Sequence, residues 1–180
     1  MVDSAAVRRI AVVGAECTGK TQLCTELARE LGGTTFVEPL RAFVSARGRA
    51  PNAQEQSEIV LLQKEAEHEA ETRARERGLR WVFCDSAPIM TAVYSLTYFQ
   101  DERLLEGALT HHAAYFATLL CADDLAWQAD PGQRDGPAVR AQTQAMLLDR
   151  LRGFDGLMIH VRGEGADRER FAREGLLALD

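Results

Sequence analysis

Polar and apolar positions along this chain follow two alternating periods. Near-continuous apolar runs occur at "RRIAVVG" (8–14), "TTFVE" (34–38), "LRWVFCD" (79–85), "YFATLLCA" (115–122) and "GLMIHV" (156–161). Runs this short and this apolar predict strands buried on both faces. Between them, apolar side chains recur at helical spacing, which predicts helices over 20–31, 39–46, 53–78, 88–99, 101–113 and 137–152, and a last one from about Asp167. The "GG" at 32–33 stops the first helix, and "RGRAPN" separates the second from the third. The third helix is amphipathic in its first half and almost wholly polar in its second, so its far end is expected in water. Strands and helices in this order describe an α/β chain with a five-stranded parallel sheet and helices on both faces. With no repeat, low-complexity tract or linker, residues 1–180 are expected to form one domain.

The first strand-to-helix junction carries "GAECTGKT", residues 14–21. Two glycines with four residues between them, followed by lysine and threonine, make a P-loop when a strand precedes and a helix follows. Gly14 and Gly19 let the backbone turn, so that N–H groups from Ala15, Glu16, Cys17 and Thr18 face inward around phosphates, and the helix start adds positive potential. Lys20 is expected at the β and γ phosphates and Thr21 on Mg²⁺, with Gln22 completing the nucleotide-binding set. The sequence therefore predicts a three-layer P-loop NTPase fold that binds ATP with Mg²⁺.

Asp85 ends the third strand, at the rim where open α/β sheets gather their ligands. There it can hold Mg²⁺ or accept a proton from an attacking hydroxyl; an aspartate at this place can also cap the helix that starts near Pro88. Ser86 beside it is the next site candidate. Glu38 ends the second strand and Arg41 follows one turn later, facing the same rim, either as acceptor-binding residues or as a surface ion pair. The segment "DDLAWQADPGQRDGPAVR" places Arg134 and Arg140 near a helix start, inside a polar stretch with glycine and proline. That composition fits a lid over about 123–140 whose arginines meet the transferring phosphate, or else an ordinary exposed loop. Trp127 within it offers a ring that could stack on a flat substrate or anchor the loop.

Composition narrows the partners. A net charge of -6 lacks the basic surplus of a nucleic-acid binder, so anion binding must come from a local site. Lys20 and Lys64 are the only lysines among 21 basic residues, leaving arginine to supply most positive charge. No run approaches the roughly 18 apolar residues of a membrane span, and the start lacks a signal-peptide core; a cytoplasmic protein is expected. Cys17, Cys24, Cys84 and Cys121 are scattered, which predicts reduced thiols and neither zinc site nor disulfide framework, with Cys17 alone placed where a thiolate would be favoured.

Taken in order, "GAECTGKT", "VEPLRAF", "FCDSAPIMTAVYS" and "LLCADDLAWQADPGQRDGPAVR" resemble a known family. It is the P-loop ribosylnicotinamide kinase domain of the bifunctional NAD-biosynthesis regulators, with its stand-alone AAA-type ATPase and kinase relatives. The resemblance spans roughly residues 8 to 175. It implies transfer of the ATP γ-phosphate to the 5′-hydroxyl of nicotinamide riboside. It also implies Lys20 and Thr21 on ATP and metal, Asp85 near the transferred phosphate, Trp127 beside the nicotinamide ring, and Arg134 and Arg140 as lid arginines. Ser86 stands where many members carry a second acidic residue, and Ala126 where a proline often precedes the tryptophan. No adenylyltransferase or DNA-binding part is expected within these residues. Two other readings stay open: a kinase for another nucleoside, nucleotide or cofactor precursor, and a nucleotide-dependent regulatory ATPase.

Overall fold

The structure, a computed structural model, describes residues 6–128 and 136–179. Its strands are β1 (Arg8–Val13), β2 (Gly33–Thr35), β3 (Trp81–Asp85), β4 (Ala117–Cys121) and β5 (Met158–Val161). The helices are α1 (Lys20–Leu31), α2 (Pro39–Arg47), α3 (Gln56–Glu76), α4 (Pro88–Phe99), α5 (Leu105–His112), α6 (Pro137–Arg150) and α7 (Gly165–Leu177). The sheet is parallel throughout, in the order β2-β3-β1-β4-β5. The α/β architecture and five parallel strands are those expected from the apolar runs.

Alternation along β1 divides the core. Ala11 and Val13 face a cluster built with Ile89, Met90, Val93 and Leu147. Ile10 and Val12 face the opposite side, against Leu23, Leu27, Leu119 and Leu176. Period-two side chains thus bury both faces of the sheet, one under α1 and α7 and the other under the remaining core helices. Because β1 lies between β3 and β4, the ends of all three strands open onto one rim, and Val12 pairs in register with Asp85.

The second strand is shorter than expected. The run "TTFVE" predicts pairing to residue 38, but β2 stops at Thr35 and Glu38 is already the cap residue before α2. The strand sits at the sheet edge, where pairing is available on one side only, and Pro39 opens the helix with a φ already suited to it. Gly33 at its start is required by packing, since a Cβ there would lie 2.8 Å from the Trp81 carbonyl oxygen. Helix α5 begins at Leu105 instead of 101, because Asp101 and Arg103 close a separate turn with an ion pair at 2.7 Å.

Histidine chemistry in the core sets an acid limit. His112 is 1% exposed, meets the Thr118 hydroxyl at 2.9 Å and packs edge-on against Tyr115 and Phe154. Burial, and then the neighbouring His111, push its pKa down from 6.5 to about 4. A depressed histidine stabilises the fold fully above its unfolded pKa and stops doing so as pH falls through the folded one. Stability is therefore expected to drop between pH 6.5 and about 4, by on the order of 3 kcal/mol from this group. Denaturant titrations across that range check it; a His112→Gln variant should lose this part of the slope.

Candidate active site

The phosphate loop is shaped from within. Gly14 adopts a φ of 153°, and a Cβ there would lie 2.8 Å from both the Cys121 carbonyl oxygen and the Thr18 hydroxyl, so β1 and β4 leave room only for glycine. Gly19, with φ 74°, caps α1. The Thr18 hydroxyl donates to the Ala15 carbonyl at 2.8 Å, and the Ala15 N–H donates to Gln144 Oε1 at 2.8 Å. Gln144 in turn donates to the Cys121 carbonyl at 3.0 Å, tying the loop to β4 and α6. Lys20 Nζ bridges the Gly14 and Ala15 carbonyls, each at 2.8 Å. Its ammonium thus stays over the loop opening, held by two neutral acceptors that an anion can replace.

One cavity of about 730 Å³ joins this loop to the rest of the rim. Residues Glu16 to Gln22 form one wall, with Leu125, Ala126 and Gln128 from the β4–α6 connection. The opposite wall comes from α2 and α4: Glu38 and Arg41, then Tyr94, Tyr98 and Phe99. A phosphate cradle and a ring-lined recess therefore share one space, large enough for two small substrates meeting end to end.

The acidic groups differ in their surroundings. Burial, and next the Asp85 carboxylate, raise the Glu38 pKa above its ordinary value, against the pull of Lys20, Arg41 and a hydrogen bond from Ser86. Arg41 is half-exposed, its Nε 4.0 Å from Glu38, too far for a firm pair. Asp85 is 2% exposed and is not on the cavity wall; its Oδ1 has no hydrogen-bond partner among the described residues. Ser86 beside it holds a φ of 66° and donates its N–H to the Val12 carbonyl at 3.1 Å. Glu16 reaches the cavity too, with Oε2 buried and unpartnered among the described residues.

Of the remaining residues singled out by sequence, Thr21 and Gln22 line the cavity, as does Cys17, whose thiol lies 3.3 Å from the Gln128 carbonyl oxygen. Cys24, Cys84 and Cys121 are buried, and burial raises each of their pKa values, keeping them neutral. Trp127 is half-buried; its neighbours Ala126 and Gln128 line the cavity and it does not. Arg140 is 6% exposed in α6 and donates to the Leu125 carbonyl at 2.9 Å, so it braces the chain that follows β4 and does not line the cavity. Arg134 lies outside the described residues. Sequence reasoning missed Tyr94, Tyr98 and Phe99, which it read only as helix. Aromatic residues at i and i+4 behind a strand-end aspartate were the available signal.

A glycine-shaped anion cradle between the central strand and α1, with a lysine over it and carboxylates at the next strand end, defines a P-loop kinase fold. The chain belongs to the AAA domain family, which it matches over residues 9–168. No curated protein matches it. Among solved structures, NadR protein in complex with NAD and AMP-PNP superposes with a TM-score of 0.76 at 18% identity, over 97% of this chain and 49% of that one. NadR in complex with NR gives 0.74 at 19%, over 97% and 51%. A deoxyadenosine kinase from M. mycoides with products dCMP and a flexible dCDP gives 0.65 at 9%, over 94% and 99%. The chain spans about half the length of the NadR chains it matches. Among the described residues no helix is long and apolar enough to cross a membrane.

Proposed function

We propose that the protein is an ATP-dependent kinase that transfers the γ-phosphate to a nucleoside hydroxyl, with nicotinamide riboside as the acceptor. The observation that carries this reading is the single cavity in which the phosphate loop faces an aromatic, acidic recess. A regulatory ATPase needs only the cradle; the recess opposite it calls for a second substrate. Tyr94, Tyr98 and Phe99 supply ring faces, while Glu38 on the same wall and Glu16 on the phosphate-loop wall supply negative charge to the shared cavity. That combination suits a flat cation such as a pyridinium better than a neutral base. The NadR likeness, including its complex with NR, and the deoxyadenosine kinase likeness support a nucleoside-type acceptor.

In this account Lys20 leaves the Gly14 and Ala15 carbonyls and binds the β and γ phosphates. Glu38 is the group on the acceptor side best suited to take the hydroxyl proton. It lies on the cavity wall, and its raised pKa makes it a stronger base than an ordinary carboxylate. The residues also fit Mg²⁺: Thr21 offers a hydroxyl at the first turn of α1, and Asp85 keeps one buried oxygen without a partner. When bound, that ion neutralises phosphate charge. Leu125 and Gln128, at the mouth of the lid segment, help keep water from the transferring group.

The cationic-acceptor reading is tested by comparing kcat/KM for nicotinamide riboside with that for its neutral, reduced form and for uridine. A preference of at least tenfold for the cation is expected; equal values would remove it. Tyr98→Ala should raise the acceptor KM about tenfold, as loss of one stacking surface does, and leave ATP affinity unchanged. Equal losses for both substrates would return Tyr98 to packing.

A further inference from the structure

One guanidinium in α7 connects three of the loops that surround the nucleotide half of the cavity. Arg168 is 4% exposed. Its Nη2 donates to the Thr18 carbonyl at 2.9 Å and to the Ala122 carbonyl at 3.0 Å. Its Nη1 donates to Asp124 Oδ1 at 2.8 Å and to the Gly163 carbonyl at 2.7 Å. Asp124 completes the arrangement by accepting the Gly163 N–H through Oδ2 at 2.7 Å. Although partial burial raises the Asp124 pKa, the Gly163 N–H and Arg168 more than offset it, and the carboxyl titrates below its usual range. The three segments are the phosphate loop, the root of the lid segment and the β5–α7 turn.

The Thr18 contact has a direct consequence for phosphate binding. A trans peptide is planar, with its C=O and N–H pointing in opposite directions. Holding the Thr18 oxygen toward Arg168 therefore turns the Gly19 N–H the other way, into the bowl of the phosphate loop. Gly19 is itself constrained, because Leu125 of the lid root packs 3.1 Å from where its Cβ would be. Through one side chain, the same charge fixes the donor direction at the helix start and the entry of the lid segment.

We infer that Arg168, held by Asp124, is a positioning residue for the triphosphate: it aims the Gly19 N–H at the phosphates and holds the residues that follow β4, Ala122 to Leu125, against the phosphate loop. The inference rests on the reading of this cavity as an ATP site. It predicts a requirement for arginine specifically, since a lysine ammonium cannot span four acceptors arranged in a fork.

The test is calorimetric binding of Mg·AMP-PNP to the full chain, followed by KM values for ATP and acceptor. Arg168→Lys should weaken nucleotide binding at least tenfold and raise the ATP KM, with the acceptor KM at saturating ATP unchanged. Asp124→Ala, at a more exposed position, should give a several-fold shift in the same sense and serves if Arg168→Lys does not fold. A lower melting temperature with unchanged nucleotide affinity in the folded variants, or equal losses for both substrates, would overturn the inference and leave Arg168 a structural brace. Wild-type protein that fails to bind Mg·AMP-PNP would overturn the ATP reading as well, which separates the two failures.

Discussion

Lys20→Ala is expected to lower phosphoryl transfer by about a thousandfold while leaving the domain folded, the scale seen when one preorganised charge is removed from a developing anion. The ammonium lies over the loop opening and, among the described residues, is hydrogen-bonded to the Gly14 and Ala15 carbonyls. The Ala15 carbonyl keeps the Thr18 hydroxyl as a donor, so the loss falls mainly on the buried Gly14 carbonyl and costs about 1–3 kcal/mol. Charge at this position matters much more to a triphosphate, whose γ-group gains negative character at the leaving oxygen and loses its hydration inside the cleft. Turnover assays beside thermal melts separate the two effects. A folded Lys20→Ala protein with wild-type turnover would remove the phosphate loop from the chemistry altogether.

Glu38→Gln is expected to cut kcat by about a hundredfold, the lower range for loss of a general base. It should also raise the melting temperature at neutral pH. The sign follows from linkage. Burial and Asp85 raise the folded pKa of Glu38 above its unfolded value. Such a group stabilises the fold fully below the unfolded pKa and stops doing so as pH rises through the folded one. Ionising Glu38 therefore costs the fold stability, and at neutral pH the amide relieves that cost. Below the ordinary carboxylate pKa the wild type is protonated too, and the two melting temperatures should converge. A variant that is less stable at neutral pH would show that Arg41, Lys20 and Ser86 outweigh burial. Unchanged kcat would show that Glu38 carries no proton in the reaction.

The legible parts of this molecule were those whose physics is local. The phosphate loop needs a strand, two glycines at a set spacing and a helix, all within about a dozen residues of "RRIAVVGAECTGKT". Asp85 stood out because a charge that ends a fully apolar strand must lie at the strand's carboxyl rim. Glu38 was placed at the right rim even though β2 ends three residues earlier, since the turn into α2 keeps it there. Tyr94 and Tyr98 were not legible as site residues, because helix periodicity gives a face but not what the face looks onto. Arg168 was further out of reach: its acceptors at Thr18, Ala122 and Gly163 lie up to 150 positions away, and only the sheet order brings them together. Arg140 was read from its place beside the lid, whereas its buried contact with Leu125 depends on how α6 packs.

The most direct test of the central claim is to incubate the protein with ATP, Mg²⁺ and nicotinamide riboside and to identify the products by mass. The account predicts one phosphorylated riboside for each ADP formed, with no transfer by Lys20→Ala. ADP and inorganic phosphate without a phosphorylated acceptor would contradict it and describe a nucleotide hydrolase.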